Sequence, residues 1–140
     1  LSNGDVIPNS IVLAQAAIES GWGKSRFAKE YNALFGEYTY NDSEGVIPLE
    51  RENCDTHLIK AFSSYSNSVE SYFNNINSHY AYEDFRDIRN IMRERNNFSN
   101  VNLLVNKLST YAEDENYINT IRQVIKTNNF SIFDQKTITY

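Results

Sequence analysis

The chain of 140 residues contains a single cysteine, Cys54. An internal disulfide is therefore excluded, and cysteine usage assigns no redox compartment. No run of about 18 apolar residues occurs, which excludes a membrane-spanning helix. An excess of basic residues is missing too. Lys and Arg number 13 against 18 Asp and Glu, for a net charge of −5. Nucleic acid normally selects a basic face, so it is not among the expected partners. Arg86, Arg89, Arg93 and Arg95 do cluster in one segment, and they read as a solvated helix face. The chain has only two histidines. Neither His57 nor His79 has a carboxylate or metal partner at ligand spacing, so both read as structural. With no zinc motif, phosphate loop or triad pattern, no metal and no cofactor are expected. Linkers, repeats and low-complexity blocks are also lacking, and no signal-peptide pattern is visible. The opening Leu1-Ser2-Asn3-Gly4 stands close to the first helix, as in a trimmed or mature fragment.

What the chain does contain points to a folded domain. Apolar residues make up 41%, too many for a disordered segment. A chain of this length is the usual size of one domain and buries roughly two-thirds of its unfolded surface. Residues 1–140 are accordingly read as a single domain and a monomer. Aromatics make up 14%, with ten Tyr and eight Phe against one Trp. Tyrosine combines an apolar ring with a hydroxyl, which suits a glycan's CH faces and hydroxyls. The plainer reading is half-buried surface aromatics.

Pro8 with Asn9 or Ser10 supplies a helix start. The apolar run Ile11-Val12-Leu13-Ala14-Gln15-Ala16-Ala17-Ile18 continues it as a core helix, and Gly21 and Gly23 end it. A second helix is expected over Lys24 to Tyr31. Short β-prone runs then follow at Leu34–Tyr40, Val46–Leu49 and Leu58–Phe62, separated by turn residues. Helical spacing returns behind a Ser66 cap at Val69, Tyr72, Phe73 and Ile76. It recurs through Tyr82, Phe85, Ile88, Arg89 and Met92, and again behind Asn100 at Val101, Leu104, Val105 and Leu108. Asp114 caps a last helix with Tyr117, Ile118, Ile121, Val124 and Ile125. The fold class is mainly α (α+β), with a small β-lobe at about residues 34–62 and a cleft between the lobes as the natural ligand site.

Glu19 is the residue that this pattern does not explain structurally. It closes the apolar helix, where partial negative charge disfavours an anion and burial disfavours the charged form. Both effects raise its pKa, and a fixed, protonated carboxyl is what a glycosidase uses to protonate a leaving oxygen. Gln15 lies one turn earlier on the same face. It either lines the cleft or packs as a core polar residue. Trp22 reads as a packing residue rather than a sugar platform, and Asn32, Phe35 and Gly36 read as structural. In the β-lobe Tyr38 is a candidate sugar contact. Tyr111 falls between two helical patterns, where binding residues often sit.

The string from Leu13 to Ala28, with Glu19-Ser20-Gly21-Trp22-Gly23 at its centre, resembles the catalytic-helix motif of the bacterial glucosaminidase family (glycoside hydrolase family 73). Asn32-Ala33-Leu34-Phe35-Gly36 resembles the Asn-x-Leu-Phe-Gly motif that follows it there. Val46-Ile47-Pro48-Leu49, Thr56-His57 and Asn77-Ser78-His79-Tyr80-Ala81-Tyr82 are similar to the Bax-like branch of bacterial envelope proteins. Tyr111-Ala112-Glu113-Asp114-Glu115-Asn116-Tyr117 is similar to the family's Tyr-Ala-x-Asp-x-x-Tyr motif. The pieces lie in the family's order and cover about residues 6 to 128.

The resemblance implies a lysozyme-like helical domain with a β-lobe across a cleft. It implies cleavage of the β-1,4 bond after N-acetylglucosamine in peptidoglycan or a related glycan, in the cell envelope, periplasm or outside the cell. It carries over Glu19 as general acid, Tyr111 as a tyrosine near the reacting sugar, and Tyr117 as a more structural member of the same motif that is also a candidate substrate contact. A second acidic residue is expected in the β-lobe, which holds Glu37, Glu44, Glu50 and Glu52. No motif selects among them. Glu50, after a strand-like segment, is preferred as catalytic. Glu44, before a turn glycine, comes next and is a candidate substrate contact. The substrate's own N-acetyl oxygen is a third source of the nucleophile. The competing readings are a lytic transglycosylase on the same fold and a non-catalytic glycan-binding module.

Overall fold

The computed structural model describes residues 4–48 and 56–134. Glu50, Glu52 and Cys54 lie outside the described residues. The fold is mainly α with one small antiparallel sheet, as the sequence patterning implies. The chain forms two compact units. One comprises Gln15–Tyr72, the other Leu1–Ala14 with Phe73–Tyr140.

The Gln15–Tyr72 unit carries the C-terminal half of α1 (Asn9–Ser20), α2 (Arg26–Tyr31), the sheet, and the first half of α3 (Tyr65–Ser78). Ser25 caps α2 by accepting the Ala28 N–H, so the helix begins two residues later than the sequence pattern suggests. Asn32 closes it at φ 56° and donates its side-chain amide to the Phe62 carbonyl, 3.1 Å away. The three strands are shorter than the β-prone runs: β1 (Tyr38–Thr39), β2 (Gly45–Val46) and β3 (Leu58–Lys60), in the order β1-β3-β2. Tyr38 and Val46 both pair with Ile59, from opposite sides. Leu58 and Ile59 are the buried strand residues. Gly45 must be glycine, because a Cβ there would stand 2.6 Å from Leu58 Cβ and 2.7 Å from Thr39 Cγ2. Ser64, not Ser66, caps α3. Its hydroxyl accepts the Asn67 N–H, and Ser66 is exposed one turn-position inside the helix.

The other unit holds the start of α1, the end of α3, α4 (Glu83–Glu94), α5 (Asn102–Val105) and α6 (Tyr117–Thr127). Its core is Ile7, Ile11, Ile76, Phe85, Met92, Leu104, Val105, Leu108 and Ile121, all buried. Neither Asn9 nor Ser10 caps α1 with its side chain. The cap comes from Asp134, whose carboxylate accepts the Ser10 N–H at 2.8 Å, an anion where the helix dipole favours one. The pattern behind Asn100 resolves into α5 and a 3-10 turn, Asn106–Tyr111. Tyr111 is thus the last residue of that turn rather than part of a loop. Asp114 acts one step before α6, its side chain accepting the Asn116 N–H and its carbonyl the Tyr117 N–H.

The arginine cluster on α4 corrects the expectation of a solvated face. Arg89 is only 3% exposed. It pairs with Asp5 at 3.1 Å and donates to the Val6 carbonyl and to Asn77 Oδ1. Arg93 reaches the same Asp5 at 2.6 Å, and Arg86 donates to the carbonyls of Ile76 and His79. Carbonyls at the end of α3 and the Asp5 carboxylate draw three of the four guanidinium groups inward. Burial alone raises the pKa of Asp5. The Arg93 hydrogen bond, the Val6 N–H and the two positive charges outweigh it, so the carboxyl sits below its ordinary value.

Candidate active site around Glu19

Glu19 stands in the last turn of α1, and the backbone beyond it is held tightly. Gly21, Trp22 and Gly23 take left-handed φ values of 56°, 59° and 77° in succession. The Trp22 N–H returns to the Ala17 carbonyl at 2.9 Å, closing the helix with the 6→1 bond of a Schellman motif. Ser20 clamps the turn from inside. Its hydroxyl donates to the Ala16 carbonyl and accepts the Gly23 N–H, while its carbonyl accepts the Ser25 N–H. The Glu19 Cα is therefore fixed by a helix on one side and a bonded reversal on the other.

The Asn32–Gly36 segment supplies the next wall. Gly36, at φ +64°, faces the Glu19 side chain so closely that a Cβ on it would lie 2.7 Å from Oε2. Its neighbour Phe35 is buried and stacks on Tyr72, with ring centroids 4.1 Å apart. Leu34 donates its N–H to the buried Ser68 of α3. The Tyr72 hydroxyl donates to Gln15 Oε1 at 2.5 Å. Gln15, wholly buried, lies one turn before Glu19 on α1. A run of contacts thus leads from Gln15 through Tyr72 and Phe35 to Gly36, the residue that faces the Glu19 carboxyl. Two motifs that the sequence shows separately meet here.

The β-lobe carboxylates differ sharply from one another. Glu37 follows Gly36. Its Oε2 accepts the Ser71 hydroxyl at 2.6 Å, and that hydroxyl accepts from Lys60 Nζ at 3.4 Å. Its Oε1 is buried and has no hydrogen-bond partner among the described residues. Burial raises the Glu37 pKa, with Ser71 and the Lys60 charge opposing. Glu44 is exposed in a turn, where Oε2 accepts from the Thr39 hydroxyl at 3.3 Å. Tyr38 is 59% exposed and stacks on His57 at 4.2 Å. Trp22 is 55% exposed, against the packing role expected of it.

Tyr111 and Tyr117 belong to the other unit. Tyr111 is half-buried between Tyr82 and Tyr117, with centroids at 6.2 Å and 5.9 Å. Tyr117 is buried at the start of α6. His79 caps the turn Tyr80–Tyr82 by accepting the Ala81 N–H on Nδ1. Among the described residues no group of His, Cys, Asp and Glu could hold a metal ion, and no helix is long and apolar enough to cross a membrane.

Comparison with known proteins gives a concordant picture. Over 112 residues the chain is 34% identical to protein bax of Escherichia coli K12, covering 80% of this chain and 39% of that protein. Over 79 residues it is 34% identical to peptidoglycan hydrolase FlgJ of the same strain, covering 47% of this chain and 25% of that one. The chain thus spans well under half the length of these relatives. Among solved structures, the catalytic domain of the autolysin Auto from Listeria monocytogenes superposes with a TM-score of 0.65 at 20% identity, over 89% of this chain and 74% of that one. An N-acetylmuramoyl-L-alanine amidase from Staphylococcus aureus gives 0.66 at 24% identity, over 94% and 38%. At such identities the likeness shows the fold alone. The family described as mannosyl-glycoprotein endo-β-N-acetylglucosaminidase matches residues 1–130, and the chain belongs to this glucosaminidase family.

Proposed function

We propose that the protein hydrolyses β-1,4 bonds after N-acetylglucosamine in peptidoglycan or a related glycan, in the cell envelope or outside the cell, with Glu19 as the general acid. The observation that carries this reading is the seating of Glu19. It lies in the last turn of α1, and Gly36 faces it so closely that a Cβ there would stand 2.7 Å from Oε2. A general acid must be held within hydrogen-bond reach of the oxygen it protonates. A carboxyl on a bonded helix end with Gly36 against it supports that role. Membership of the glucosaminidase family and the resemblance to a peptidoglycan hydrolase support the glycan as substrate class.

Glu19 would protonate the leaving glycosidic oxygen as the bond to the anomeric carbon breaks. The second group is assigned to Glu50, whose carboxylate would take a proton from the water that bonds to the anomeric carbon as the leaving oxygen departs. Glu37 is engaged with Ser71 and has its other oxygen out of solvent, and Glu44 stands in an exposed turn. If the substrate's N-acetyl oxygen attacks instead, Glu50→Gln retains turnover and the product keeps its anomeric configuration. Tyr38 offers an exposed ring to the sugar, and Tyr111 is assigned to orienting the reacting sugar by its motif.

The test is the release of reducing ends from purified peptidoglycan. Glu19→Gln should abolish it while far-UV circular dichroism and glycan binding persist. Near-wild-type release by that variant refutes the assignment of Glu19. Mass spectrometry of the products distinguishes the rivals: anhydro-sugar ends mark a lytic transglycosylase, and binding without new ends marks a non-catalytic module.

A further inference from the structure

Trp22 is the chain's only tryptophan, and its placement is expensive. A left-handed φ costs a residue bearing a Cβ about 1–2 kcal/mol, whereas glycine adopts it freely. Trp22 sits at φ 59° between two glycines that also have positive φ, so the backbone here suits a third glycine. The ring is nevertheless not packed away, because the residue is 55% exposed. A backbone strain of this kind, held in place by its surroundings, tends to mark function rather than stability.

The turn also fixes the backbone that carries the indole. The Trp22 N–H is bound to the Ala17 carbonyl, and the Lys24 N–H to that of Gly21. Gly23 is held by the Ser20 hydroxyl. Trp22 is thus an exposed aromatic on a firmly held backbone, three residues beyond Glu19. Such a ring has an electron-rich face and a single N–H donor. The matching ligand presents weakly polarised C–H bonds on one face and carbonyl or hydroxyl acceptors at its edge. A pyranose bearing an acetamido group has both.

We propose that Trp22 is a glycan-binding residue that stacks on an N-acetylhexosamine ring adjoining the bond cleaved at Glu19. The placement of that ring rests on the function proposed above; the stacking itself does not. Trp22 contributes binding energy to ground state and transition state alike, so its loss raises KM with little change in kcat.

A single tryptophan makes the test direct. Titration of the Glu19→Gln protein with chitotetraose should shift or quench tryptophan emission along a saturating curve. Calorimetry should show binding weakened about tenfold in Trp22→Ala, with Trp22→Phe between the two. On peptidoglycan, Trp22→Ala should raise KM by a similar factor and leave kcat within about threefold. Trp22→Gly serves as the folding control, since the φ penalty it relieves offsets the ring contacts it loses, and its far-UV circular dichroism should match the wild type. Unchanged emission up to the solubility limit of the sugar overturns the proposal, as does an equal Kd in Trp22→Ala. Turnover by Glu19→Gln together with a saturating emission change overturns the role of Glu19 and leaves that of Trp22 standing.

Discussion

Replacing Gly36 with alanine separates two effects that the structure places on one residue. The first is conformational. At φ +64° an L-residue with a Cβ costs about 1–2 kcal/mol, a sizeable part of the roughly 5–15 kcal/mol that stabilises a domain. The second is positional. The new methyl would stand 2.7 Å from Glu19 Oε2, and 3.5 Å and 3.6 Å from its Cδ and Cβ. Restoring an ordinary contact moves the carboxyl oxygen by about 0.7 Å. The oxygen is at the far end of a flexible side chain, so this shift costs little stability. A misplacement near 1 Å, however, can cost about a hundredfold in rate, so kcat on peptidoglycan should fall by roughly ten- to a hundredfold. Gly23→Ala is the matched control. Its φ of +77° carries the same backbone penalty, yet a Cβ there meets nothing within 4 Å. Urea unfolding followed by circular dichroism should give similar losses for the two variants. Reducing-end release should fall steeply in Gly36→Ala alone. Equal kcat in the two variants refutes the idea that Gly36 seats the acid.

Other consequences lie away from Glu19. Asp5→Ala leaves Arg89 buried without its counter-charge, which should cost about 3–5 kcal/mol in urea unfolding; a loss below about 1 kcal/mol contradicts the buried pair. Because the folded-state pKa of Asp5 is lowered, the stability it contributes is present above the unfolded value near pH 4 and is lost as pH falls through the folded value. The melting temperature of the wild type should therefore drop more steeply below about pH 4 than that of Asp5→Asn, and parallel profiles count against the pairing. Glu37 has the opposite sign. Its folded pKa is raised, so its contribution is complete below the unfolded value near pH 4 and disappears as pH rises through the folded value. The stability difference between Glu37→Gln and wild type should move in favour of the variant from pH 4 to pH 7. A difference independent of pH shows that Glu37 is not titrating in a buried setting.

The parts of this molecule that were legible in its sequence are those that local spacing encodes. An apolar run followed by Gly21 and Gly23 announces α1 and its end, because a helix needs only its own residues and a left-handed stop to declare itself. Turn residues between β-prone runs likewise announce the sheet at residues 38–60. What stayed hidden depends on partners far along the chain. The cap of α1 comes from Asp134, 124 residues away, so the local candidates Asn9 and Ser10 mislead. The arginines of α4 have the spacing of a solvated face, but Asp5 turns two of them inward from more than 80 residues away. The candidate site shows the same division. Glu19 is legible as a carboxyl at a helix end, and Asn32–Gly36 as a recurring motif. The reason Gly36 must be glycine exists only where the two meet, since φ and the neighbouring carboxyl oxygen both act on a hydrogen that the sequence shows as mere absence of a side chain. Four β-lobe glutamates are equivalent as letters. Glu37 and Glu44 become different chemical groups once Ser71 and the protein interior close over one and solvent surrounds the other. Motif order therefore points to a candidate site, while the surroundings of each carboxyl are properties of what tertiary packing places beside it.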